Sequence, residues 1–123
     1  MTTGIIVFAH GSRIESANQA VREVAAGMLR PRGPYELVQA AFLELGQPDL
    51  QTAVANMAAA GLRRIVVIPY FLTLGLHLER DLPRLAREAA ARFPDIDLVL
   101  TPPLDGHPAL LQVLIDRARE AGQ

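Results

Sequence analysis

The chain switches between two hydrophobic periods four times, and this alternation limits its fold more than any other feature. Residues 4–9 (GIIVFA) form a short, wholly apolar run, the pattern of a strand buried on both faces. Residues 15–30 change to helical spacing, with Ala17, Val21, Val24, Ala25 and Met28 expected to face inward. Pro31, Gly33 and Pro34 end that helix. Residues 35–42 (YELVQAAF) read as the second strand. Pro48 opens a second helix with Leu50, Ala53, Val54, Met57 and Ala58 inward and Gly61 as its C-terminal cap. Residues 64–70 (RIVVIPY) are the third strand, with Pro69 near its end, where a missing N–H is tolerated. Residues 72–78 read as a loop. Asp81 is the expected N-cap of a third helix through Phe93, which places Pro83 in its first turn and Leu82, Leu85, Ala86, Ala89 and Ala90 inward. Residues 96–100 are the last strand. Pro108 opens a final helix with Leu110, Leu111, Leu114, Ile115 and Ala118 on one face.

Strands that alternate with helices are joined by crossovers and so run parallel, in a sheet covered on both faces. Right-handed crossovers favour the order 2-1-3-4, a flavodoxin-like, three-layer αβα arrangement of the α/β class. With 123 residues and no linker, repeat or low-complexity segment, the expectation is one domain over residues 1–123. In that order the connections diverge between strands 1 and 3. Open α/β sheets bind ligands outside the carboxyl ends of the strands at such a switch point. Two loops out of eight are thereby selected.

Composition narrows what those loops can do. The chain has no Cys, so disulfides, thiolate metal sites and thiol nucleophiles are excluded. All 12 basic residues are Arg, which removes Schiff-base chemistry on a side-chain amine. A formal charge of −1 and 5% aromatic residues give no footprint for nucleic acid. No apolar run is long enough to cross a membrane, and the opening residues resemble no secretory signal. A cytoplasmic location is the expectation. Metal chemistry, if present, falls to three His and to Asp or Glu.

The loop after strand 1 is His10, Gly11, Ser12 and Arg13, and the loop after strand 3 ends in Gly75, Leu76 and His77. Strand 2 lies beside strand 1 and is followed by Glu44. Two imidazoles and a carboxylate suit a first-row divalent cation. Few protein ligands leave coordination positions open, as in sites that act on a metal rather than store it. Imidazole also titrates at about 6.5 and accepts protons near neutrality. Structural readings stand beside these. His10 also fits a cap on the first helix, Glu44 a solvated residue ahead of Pro48, and Gly11-Ser12 a tight turn or a source of N–H groups for an anion. His107 precedes Pro108 and reads as the cap of the last helix.

Four ordered segments carry a family resemblance: AHGSR after the first strand, FLELGQPDL after the second, IPYFLTLGLHLERDLP after the third and PPLDGHP after the fourth. Together they make the chain similar, in register and over nearly its whole length, to the small single-domain sirohydrochlorin chelatases of the CbiX type. The resemblance implies the class II chelatase fold and insertion of a divalent metal, cobalt or iron and in some members nickel, into sirohydrochlorin. That step feeds cobalamin or sirohaem synthesis. It implies His10 as metal ligand and proton acceptor, His77 as second metal ligand, and Glu44 as a catalytic residue near the macrocycle. It implies Tyr70, Phe71, Leu72, Thr73, Leu74 and Gly75 as the segment lining the tetrapyrrole pocket, with Phe71, Leu72 and Leu74 covering the ring face. The metal is then a substrate, no cofactor is permanently bound, and the chain works as a homodimer. Arg13 and Arg80 are candidate anchors for the substrate's carboxylates. The chain departs from the pattern in its LTLGLH segment and lacks the histidine-rich stretch of some archaeal nickel-using members.

Other functions are weaker fits. A non-catalytic carrier of metal or tetrapyrrole would use the same pocket, and sequence does not separate it from an enzyme. A histidine phosphatase-like site wants Arg directly before its His, and position 9 is Ala. A receiver-like domain wants an acidic cluster after strand 1 and an Asp after strand 3, and neither is present.

Overall fold

The computed structural model describes residues 2–122. Its elements are β1 (Thr3–Ala9), α1 (Glu15–Met28), β2 (Leu37–Phe42), α2 (Leu50–Ala59), β3 (Arg64–Pro69), α3 (Leu76–Arg92), β4 (Asp97–Leu100) and α4 (Pro108–Glu120). The sheet is parallel, in the expected order β2-β1-β3-β4. β1 is central and pairs along its length with both neighbours: Val7 stands opposite Ala40 of β2 and Ile68 of β3. Its apolar run is required because both faces are covered. Ile6 and Phe8 point into the layer formed by α2 and α3, beside Met57, Ile65, Val67 and Leu82. Ile5, Val7 and Ala9 point to the α1 side, with Ala25, Ala40 and Phe42.

α2 follows the expected stripe, and its ends are well made. Asp49 is the N-cap, its side chain accepting the Thr52 N–H at 2.8 Å. Pro48 therefore lies just before the helix, after a cis peptide bond with Gln47. At the other end Gly61 takes φ +85°, and the Leu62 and Gly61 N–H groups donate to the carbonyls of Met57 and Ala58. This is the double bond of a Schellman ending, with Leu62 buried as its apolar contact.

Three details differ from expectation. The inward face of α1 is Asn18, Val21, Arg22, Ala25 and Met28, whereas Ala17 and Val24 are exposed. The stripe is rotated because a buried Asn is accommodated at its start. α3 begins at Leu76, five residues before Asp81, with Gly75 as N-cap and the Glu79 N–H bonded to the Gly75 carbonyl at 2.9 Å. His77 is thus in the first turn of a helix, and Pro83 is inside that helix. Buried Leu82, Ala86 and Ala89 hold the turns around the proline, outweighing its missing N–H.

The third difference is α4. None of its side chains is buried, and Leu111, Leu114 and Ile115 of its apolar face are exposed. Its start is as expected: the His107 ring accepts the Ala109 N–H through Nδ1 at 3.1 Å. The helix forms but does not close over its own sheet. The half-face of Val66, Ile68 and Val99 that it would cover is only half-buried. An open apolar cavity of about 670 Å³ lies there, lined by Ile68, Pro103, Leu104, Leu110 and Val113 among others.

Asp49 provides a test of the packing order. Its carboxyl is held below the ordinary carboxylate range, first by the Thr52 backbone N–H. A lowered folded-state pKa means that its contribution is present at neutral pH and is lost as pH falls through the acid range. We expect Asp49→Ala to cost about 1 kcal/mol at pH 7. In denaturant titrations the gap to the parent should narrow towards pH 3, and Asp49→Asn should keep most of the cap without that pH dependence. A constant gap across this range contradicts the assignment.

Candidate functional site

The carboxyl edge of the sheet is built from two pairs of tied loops. On one side the β1–β2 ladder runs past the strand ends. The Leu43 N–H donates to the Ala9 carbonyl at 2.9 Å and the Glu44 N–H to the His10 carbonyl at 3.1 Å. Gly11 makes this approach possible. It has φ +94°, and a Cβ there would lie 1.6 Å from the Glu44 carbonyl oxygen. On the other side the Leu104 N–H donates to Phe71 O at 3.0 Å and the Asp105 N–H to Leu72 O at 2.8 Å, joining the loops after β3 and β4. The switch point is the crevice between these two lips.

His10 and Glu44 are brought together on the first lip. His10 Nε2 stands 3.8 Å from Glu44 Oε1, and both side chains are more than half exposed (56% and 57%). His10 Nδ1 lies 3.2 Å from the Gly11 carbonyl. Donation of Nδ1–H to that oxygen fixes the neutral tautomer and leaves the Nε2 lone pair towards Glu44 and solvent. An imidazole nitrogen with a lone pair beside a carboxylate can bind a cation or take a proton.

His77 is on the opposite lip, in the first turn of α3. Its Nδ1 lies 3.3 Å from Arg80 Nη2 one turn on, and Arg80 Nε lies 3.5 Å from Asp81 Oδ1. A guanidinium only donates, so the Nδ1 lone pair is engaged and Nε2 carries the proton in the neutral ring. Among the described residues no three His, Asp or Glu side chains gather closely enough to cage a metal.

The segment after β3 divides into two functions. Phe71 and Leu74 turn inward and pack on the core, Phe71 against Phe8 at 6.3 Å between ring centroids. Both are half-buried and anchor the loop. Tyr70, Leu72, Thr73 and Gly75 are exposed. The exposed apolar surface of this edge also includes Ile14, Leu45 and Leu76, which periodicity had no reason to single out. Their signal is position: large apolar residues in loops at the carboxyl edge. Arg13 is exposed on the first loop.

The Ser12 N–H is not free to receive an anion. The Ser12 N–H donates to Asn18 Oδ1 at 2.8 Å, and the Ser12 hydroxyl accepts the Ile14 N–H at 3.0 Å. Asn18 was missed by the sequence reading. Its signal is the spacing 18, 21, 25, 28, a better helical stripe than one begun at Ala17.

Known proteins share this architecture. A cobalamin (vitamin B12) biosynthesis CbiX protein from Marinobacter aquaeolei superposes with a TM-score of 0.83 at 26% identity, covering 97% of this chain and 96% of that one. SirB from Bacillus subtilis, solved with Fe3+, gives a TM-score of 0.84 at 25% identity, with all of this chain matching 48% of that chain. A sirohydrochlorin ferrochelatase of Arabidopsis thaliana, chloroplastic by name, is 37% identical over 93% of this chain and 50% of its own length. A sirohydrochlorin cobaltochelatase of Methanopyrus kandleri is 30% identical, covering 95% of each. The chain thus spans about half of the plant and Bacillus proteins and nearly all of the archaeal one. The CbiX family pattern matches residues 4–121, and with the two-lipped switch-point edge this places the chain in the CbiX family.

Proposed function

We propose that this protein is a sirohydrochlorin chelatase, a lyase-class enzyme that inserts Co2+ or Fe2+ into the tetrapyrrole. The observation that carries the proposal is the His10–Glu44 pair at the switch point of a CbiX-family fold. Relatives matched along the chain are named for cobalt and for iron, so both metals are in scope.

In this reading the divalent metal is a substrate and no cofactor is held permanently. The dication enters as two pyrrole N–H protons leave. His10 Nε2 binds the ion or takes a proton, and Glu44 receives a proton or orients the macrocycle. His77 presents the metal from the opposite lip. Its Nδ1 becomes available when Arg80 turns towards a substrate carboxylate. Tyr70, Phe71, Leu72, Thr73, Leu74 and Gly75 line the macrocycle, with Phe71 and Leu74 also holding that segment on the core. The site works within one domain over residues 1–123, and the location expected from the sequence is the cytoplasm.

Homodimeric pairing is part of the proposal. It is supported by the unburied α4 stripe of Leu111, Leu114 and Ile115 and by the open sheet half beside it. Relatives of twice the length point the same way.

We expect His10→Ala to lower the rate of Co2+ or Fe2+ insertion by about a hundredfold or more, the usual range for losing an acid–base group. Its melting temperature should barely move, since the ring is mostly exposed. Absorption spectroscopy of sirohydrochlorin with each metal checks this. Binding of both substrates by the parent without faster insertion would make it a carrier instead. For pairing, sedimentation should show a dimer that Leu111→Asp with Leu114→Asp converts to a folded monomer; a parent that sediments as a monomer overturns that part.

A further inference from the structure

Asn18 is the only buried polar or charged residue found among the described residues, at 1% exposure. It lies in the first turn of α1, outside the loops that carry His10 and Glu44, yet it bonds to both. Its Oδ1 accepts the Ser12 N–H at 2.8 Å. Its Nδ2 donates to the Ser12 carbonyl at 2.8 Å and to the Leu45 carbonyl at 2.9 Å. Ser12 is two residues from His10, and Leu45 directly follows Glu44.

The surroundings are shaped for this amide. Leu45 adopts φ +59°, a conformation uncommon for a non-glycine residue, and turns its carbonyl to Nδ2. Gly46 leaves room: a Cβ there would be 3.2 Å from Nδ2 and 2.8 Å from the Phe42 ring. The backbone ladder between the two loops ends at the Glu44–His10 bond. One residue further the chains diverge, and the Asn18 amide spans the gap as an added rung. Only a primary amide at this reach offers one acceptor and two donors together.

We propose that Asn18 is a positioning residue for metal insertion: its buried amide ties the loop after β1 to the loop after β2 and so fixes His10 against Glu44. This rests on the chelatase reading above. Asn18 touches neither substrate. Its effect is on the chemical step, because a reacting pair displaced by about 1 Å loses rate by up to a hundredfold.

Asn18→Asp separates the functions of the side chain. It keeps an acceptor for Ser12 N–H and loses both donors, setting a carboxylate against the Ser12 and Leu45 carbonyls and against the Glu15 carboxylate, which Nδ2 meets at 3.5 Å. We expect kcat for Co2+ insertion to fall about ten- to a hundredfold, with KM for Co2+ changed less than about threefold, in protein that is fully folded by circular dichroism. Amide hydrogen exchange should accelerate at Leu43 and Glu44, whose N–H groups join the two loops, and stay unchanged at Ile65 and Val67 of β3. If Asn18→Asp does not fold, Asn18→Ala removes the acceptor and both donors without adding a charge and should give the same local exchange pattern. A folded variant with kcat within twofold of the parent overturns the proposal, as does exchange that rises equally in β3. A parent without insertion activity overturns the chelatase reading instead, and local exchange then decides alone whether Asn18 ties the two loops.

Discussion

The two-sided hydrogen bonding of β1 is the constraint on which everything else in this molecule depends. A strand paired in parallel on both edges and covered on both faces has no exposed backbone group and no exposed side chain along its middle. Its sequence must be apolar throughout, and its ends are the only places where it meets water. The carboxyl end of β1 therefore carries His10 to the surface directly from the buried centre of the fold. Both neighbours end at the same edge, so Glu44 and the loop before His77 arrive there without any long excursion of chain.

Much of this was legible in the sequence because it follows from period and punctuation. The four apolar runs and the helical spacing between them settle the strand order, since parallel strands and right-handed crossovers leave few alternatives. The α2 stripe and the His107 cap were equally readable, each being set by neighbours a turn or less away. The start of α3 was not. Asp81 and Pro83 are a plausible helix opening by local rules, but packing of Leu82, Ala86 and Ala89 carries the helix five residues further back and places a proline inside it. Tertiary contact overrode local propensity there.

The site was half legible. His10 and Glu44 could be brought together because adjacent parallel strands end side by side. The Arg80 contact of His77 depends on helix phase, which the loop reading of residues 72–78 had hidden. The inward turn of Phe71 and Leu74 also escaped, since an apolar loop residue looks the same in sequence whether it faces ligand or core. Asn18 escaped because polar residues are counted as outward by default, and its burial is intelligible only once two loops and their unpaired backbone groups are in view. α4 is the opposite case. Its apolar stripe is legible as one face of the helix, but the spacing does not specify what covers that face, and within this chain it is exposed.

The tied loops have an evolutionary corollary. Because the chain segments after β1 and β2 share backbone bonds, as do those after β3 and β4, the four connections at the working edge are not independent units of variation. An insertion or deletion in one has to be matched in its neighbour or it breaks a shared bond. At the opposite edge the Glu36, Arg63 and Asp97 N–H groups tie neighbouring segments in the same way, whereas the Gly33 and Ile96 N–H groups bond within their own turns. Length changes in this chain are therefore best tolerated at turns such as Pro31 to Pro34 and Pro94 to Ile96, while the carboxyl edge can vary readily only in its side chains.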